Sequence, residues 1–118
     1  MSIGNEIFGA RLKVLRIEYG LSQKNLGIQA GIDQFVASTR INRYEQAVHS
    51  PDYSIVRRLA DVLNAPTAYF YADKDEIAEL LLMFHRTSKK GKCDMLKSIV
   101  SIYSENENIG DVNQSVNK

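Results

Sequence analysis

An all-α fold follows from three observations on the sequence. Apolar residues recur at helical spacing in every long segment, no stretch alternates polar and apolar residues as a half-buried strand does, and glycines, prolines and capping residues cut the chain into short pieces. At 118 residues and 44% hydrophobic content, the chain has room for one core with a helical appendage.

Phe8, Leu12, Leu15 and Tyr19 share one face, so residues 5–19 form an amphipathic first helix, and Gly20 ends it. Ser22 is a natural N-cap for a second helix to about Ala30. Within it Gly27 lies where another helix could cross closely, and Gly31 supplies the turn that follows. A third helix is expected to start near Asp33, another N-cap type, with Ile41 and Tyr44 on one face. Ser38, Thr39, Asn42, Arg43 and Gln46 are left for its other faces, and these residue types hydrogen-bond base edges and phosphates. Two short helices joined this way form a helix-turn-helix pattern.

Beyond it, His49-Ser50-Pro51-Asp52 is a turn ending in an N-cap, and Tyr53, Val56, Leu59, Ala60 and Leu63 form the stripe of a fourth helix. Pro66-Thr67 starts a short fifth helix through Phe70. Residues 75–86 form a sixth, with Ile77, Leu80, Leu81 and Phe84 on one side. After a polar link over residues 88–92, Met95, Ile99, Ile102 and Tyr103 mark a seventh. The expected organisation is a DNA-binding domain over residues 1–72, a helical extension over 73–104 and a disordered tail over 105–118, where large apolar residues are few.

Charge and composition narrow the function. The net charge is only +1, but residues 1–72 hold eight Lys/Arg against six Asp/Glu, whereas residues 73–118 hold seven against eight. Between Lys24 and Arg43 only Asp33 is acidic, so the expected reading face is locally basic. No 18-residue apolar run and no signal-peptide layout occur, and a cytoplasmic location is expected. Cys93 has no second thiol for a disulfide or a zinc knuckle. His49, His85 and Cys93 have no triad or metal spacing, and no Gly-rich phosphate loop follows a strand, so the sequence points to no catalytic residue, metal or cofactor.

Residues 7–71 resemble the XRE type of helix-turn-helix domain, the five-helix lambda-repressor-like fold of phage repressors, Cro proteins and small bacterial regulators. FGARLKVLRIEYGLSQ resembles its first helix running into the second, LGIQAGI the middle of the motif, RINRYEQ the end of the recognition helix, and SPDYSIVRRLADVLNAPTAYFY the fourth and fifth helices. One spacing departs from the family. Thirteen residues separate Gly31 from Glu45, about four more than usual, roughly one helical turn. Aligning from the C-terminal side keeps Ile41 and Tyr44 in the core and leaves the insert within residues 33–37, either in the third helix or in the turn before it.

The resemblance implies roles residue by residue. Ser38, Thr39, Asn42 and Arg43 match the positions facing the major groove, where Arg43 could fork onto guanine. Arg40 either reads a base or neutralises the backbone. Gln23 matches the phosphate-contacting position at the start of helix two, Lys24 could add a contact, and Gln46 and His49 follow the recognition helix where the family grips the strand. Arg16 and Glu45 match an internal salt bridge that orients the recognition helix. The function implied is a sequence-specific transcriptional regulator, a repressor occupying a double-stranded DNA operator as a homodimer. An alternative is an antitoxin-like protein that binds a toxin partner and represses its own operon; a purely protein-binding helical module is a third. The apolar stripes of helices six and seven would either pack on their own domain or form the dimer interface.

Overall fold

The computed structural model describes residues 3–109. They form six α-helices and one short 3-10 helix, and no strand occurs among them. The elements are α1 (Ile3–Glu18), α2 (Gln23–Gln29), α3 (Ala37–Glu45), α4 (Tyr53–Val62), the 3-10 helix Thr67–Tyr71, α5 (Asp75–Arg86) and α6 (Lys89–Ile109). The fold class is therefore the all-α one expected. The fifth predicted helix is the 3-10 segment.

Local chemistry explains where helices begin. Ser22 Oγ accepts a hydrogen bond from Asn25 N at 3.0 Å, and Asp52 Oδ1 accepts one from Ile55 N at 3.0 Å, so both act as the expected N-caps. Asp33 does not cap α3. Its carboxylate accepts from Phe35 N at 2.8 Å and its carbonyl accepts from Val36 N at 3.1 Å, which closes a turn on itself before the helix starts. The extra residues therefore lie in the turn, and α3 begins at Ala37 behind Val36, which offers no side-chain cap.

The first four helices end alike. Leu21, Ile32, Val48 and Ala65 each donate the backbone N–H to the carbonyl five residues back, and the preceding residue, respectively Gly20, Gly31, Ala47 and Asn64, has positive φ. Ala47 carries a Cβ into this left-handed region, and its methyl is buried in return.

The core gathers Phe8, Leu12 and Leu15 of α1, Leu26 of α2, Ile41 and Tyr44 of α3, Val56 and Leu59 of α4, Phe70 of the 3-10 helix and Ala78 of α5. Phe8 and Phe70 rings sit 5.5 Å apart, and Tyr69 meets Phe70 edge-on at 5.3 Å. Tyr19, expected on the buried face of α1, is instead exposed, with the Arg86 guanidinium 5.6 Å from its ring. Tyr53 is likewise exposed and Ile55 takes the inward place in the first turn of α4.

The chain divides into two compact units between Arg86 and Thr87. Helix α5 thus belongs with the helices before it, and the boundary expected after residue 72 falls inside the first unit. Arg11 donates to Ala72 O at 2.9 Å and pairs with Asp75 at 3.0 Å, while Arg86 donates to Leu63 O and Asn64 O, each at 3.0 Å, and pairs with Glu18 at 3.2 Å. These two arginines fasten both ends of α5. The helix turns Ala78 and Leu82 towards the core, whereas Ile77 and Leu80 of the expected stripe are exposed.

The second unit holds α6. Ser88 caps it by accepting from Gly91 N at 3.1 Å, and Lys90 pairs with Asp94 at 3.1 Å, so the helix starts within the expected polar link. It continues through residues 105–109; the remainder of the expected tail, from residue 110, lies outside the described residues. Among the described residues no helix is long and apolar enough to cross a membrane.

Candidate nucleic-acid interface

Helix α3 divides its nine residues cleanly between core and surface. Ala37, Ile41 and Tyr44, at i, i+4 and i+7, are buried, which fixes the rotation of the helix about its axis. Ser38, Thr39, Arg40, Asn42 and Arg43 are then all exposed on the outer side. The inward side can be close to its neighbours because two glycines leave room. A Cβ on Gly27 would stand 2.7 Å from the Ala37 Cβ, and one on Gly9 would stand 2.6 Å from the backbone oxygens of both Tyr44 and Glu45. Thus α2 grips the start of α3, and α1 grips its end.

A chain of polar contacts adds direction to this packing. Arg16 donates from Nε to Glu45 Oε2 at 2.6 Å, from Nη2 to Glu45 Oε1 at 3.2 Å, and from Nη1 to Leu21 O at 2.9 Å. The Glu45 side chain is 1% exposed and that of Arg16 14%, so the pair expected from the sequence exists as a two-pronged, nearly dry contact. Gln23 Nε2 then donates to Glu45 Oε1 at 3.0 Å and to Asn42 Oδ1 at 3.2 Å. The first turn of α2 and the outer face of α3 are thereby joined side chain to side chain. The Glu45 charge is neutralised inside the molecule rather than projected onto the basic face.

The remaining sequence-derived positions fall around this centre. Lys24 is exposed beside Gln23 in the first turn of α2, where backbone N–H groups lack intrahelical acceptors. Gln46 is the exposed C-cap of α3, and His49 is exposed just beyond it, its backbone N–H donating to Arg43 O at 3.3 Å. Arg40 is held back along its own helix: Nη2 donates to Tyr44 Oη at 2.8 Å and the guanidinium lies 5.9 Å from the Tyr44 ring centre. Ser38, Thr39 and Arg43 have no side-chain hydrogen bond among the described residues. Their donors and acceptors are available to an external ligand.

Sequence reasoning did not single out Gly9 or Phe35. Gly9 has no motif signal, since its role depends on where α3 ends in space. Phe35 stands in the extra turn, 85% exposed. No three His, Cys, Asp or Glu side chains among the described residues are grouped to hold a metal ion.

Comparison with known proteins gives a consistent result. The family model for a helix-turn-helix domain matches residues 7–69. The chain is 29% identical over 65 residues to an uncharacterized HTH-type transcriptional regulator of Sinorhizobium medicae (strain WSM419), and equally to one of Rhizobium meliloti (strain 1021). Each match covers 55% of this chain and 44% of the relative, so the chain spans less than half the length of these curated proteins. Among solved structures, the crystal structure of transcriptional regulator BswR superposes with a TM-score of 0.74 at 43% identity, over 79% of this chain and 92% of that one.

Proposed function

Since the chain belongs to the helix-turn-helix domain family, in its XRE-like form, we propose that it is a transcriptional repressor that lays α3 in the major groove of an operator as a two-fold dimer. The observation that carries this reading is the orientation of α3. Among the described residues its polar outer face has no side-chain partner at Ser38, Thr39 and Arg43, while Ala37, Ile41, Tyr44 and the Arg16–Glu45–Gln23–Asn42 contacts fix its inner side. A rigid element with free donors is what base reading requires, because every immobilised side chain costs less when its support is already ordered. Arg43 and Asn42 serve as base readers with Ser38 and Thr39; Gln23, Lys24, Gln46 and His49 flank them on the phosphates, and Arg40 joins either set.

Pairing of two copies is assigned to the extension. One recognition helix offers few base contacts, and a two-fold axis doubles them over half-sites about 34 Å apart. Helix α6 exposes Leu96, Ile99, Val100, Ile102 and Tyr103, apolar surface that a second copy can cover. Selection of bound sequences from a random duplex pool tests the whole reading. The expected product is a palindrome with half-sites one turn apart. A pool that never enriches at low salt overturns DNA reading itself, and enrichment of single, unpaired sites overturns the dimer.

A further inference from the structure

From the extra turn before α3 we infer that Phe35 is a base reader, an apolar contact for the 5-methyl group of one thymine in each half-site; this rests on the DNA-binding reading above. Four observations lead to it. Phe35 is the most exposed large hydrophobic residue among those described, at 85%, whereas Phe8 and Phe70 are buried at 3% and 0%. Val36 beside it is also exposed. The residue is not on a loose loop: the Asp33 carboxylate holds the Phe35 N–H at 2.8 Å and the Asp33 carbonyl holds that of Val36 at 3.1 Å. Lastly, the turn is placed directly before Ala37, the first residue of α3.

That placement matters because the N-terminal residues of a recognition helix are the ones that approach base edges. An aromatic ring kept in water at this point is unfavourable by itself, and it becomes favourable when an apolar surface covers it. The major groove has one such surface, the thymine methyl, and phenylalanine is among the side chains that meet it. Among the exposed residues of α3 only Thr39 carries a methyl group that could make a similar contact, so the aromatic ring of the turn adds a large apolar surface to a face otherwise built for hydrogen bonding. Because the ring is exposed and outside the core, its removal leaves the fold intact.

The test uses the full-length protein and its selected duplex at one salt concentration, with each thymine replaced in turn by uracil, which removes only the methyl group. Wild type is expected to lose about three- to fivefold in affinity at one position of each half-site, the loss of one buried methyl. Phe35→Ala is expected to bind the thymine duplex about tenfold more weakly, with unchanged thermal unfolding, and to be indifferent to uracil at that same position. Equal affinity of Phe35→Ala and wild type overturns the inference, as does a uracil penalty of the same size in both proteins. Wild type that selects no duplex overturns instead the DNA-binding reading on which this one stands.

Discussion

Arg43 and Arg16 both stand at the last turn of the recognition helix, one exposed to solvent and the other paired with Glu45, and do different work. Arg43 is exposed and unbonded among the described residues, so its guanidinium is available to a guanine edge. Arg43→Ala is expected to cost about 1–3 kcal/mol at one base pair and to relax preference there, whereas Lys24→Ala should weaken every sequence and lower the salt slope by about one, to be measured by titrations at several salt concentrations. Arg16 instead spends its donors on Glu45 and Leu21 O. Removing it alone leaves a 1%-exposed carboxylate without its cation, and Arg16→Leu is expected to destabilise by about 3–5 kcal/mol in chemical denaturation. Arg16→Leu with Glu45→Leu should cost less than the single change, because no buried charge remains.

Helices here are defined more by their ends than by their interiors. Asp52 shows how an end couples to pH. The Ile55 N–H, and then the Ser54 hydroxyl, favour its ionised form and lower its pKa below the ordinary carboxylate value. A lowered folded value means stability that is present above the ordinary pKa and fades as pH falls through the lowered one. Replacing Asp52 by Asn keeps a capping oxygen and removes the charge, so the difference in melting temperature between wild type and Asp52→Asn should be largest near neutrality and shrink towards strongly acid pH. The same ends explain what was legible in the sequence. Gly20 and Gly31 announced two helix C-termini, but Ala47 and Asn64 hold the same left-handed position without a glycine to mark it. Ser22 and Asp52 behaved as their types suggest, while Asp33 used its carboxylate to close its own turn. Candidate reading residues were legible because Ile41 and Tyr44 set the helical phase. Arg11 and Arg86 were not, because their partners are backbone carbonyls and carboxylates brought near only by tertiary folding.

At the scale of the whole molecule, α5 is part of the first unit, with Ala78 in the core and Arg86 fastened to the end of α4. A chain ending after Arg86 is therefore expected to unfold cooperatively with a native-like melting temperature, whereas one ending after Asp73 should lose stability with the contacts of Ala78 and Arg86. Under the proposed dimer, the 86-residue chain should sediment as a monomer at micromolar concentration and bind its operator far more weakly than the full chain. A full-length chain that sediments as a monomer both free and on DNA excludes that arrangement. The contacts of α3 also set how such a regulator can acquire new targets. Asn42 is shared between the surface and the chain of bonds reaching Arg16, so replacing it disturbs the support of the helix. Ser38, Thr39 and Arg43 carry no such obligation. Under the proposed function, copies that arise by gene duplication would drift towards different operators through those three positions first, because a change at Asn42 also loses its bond to Gln23.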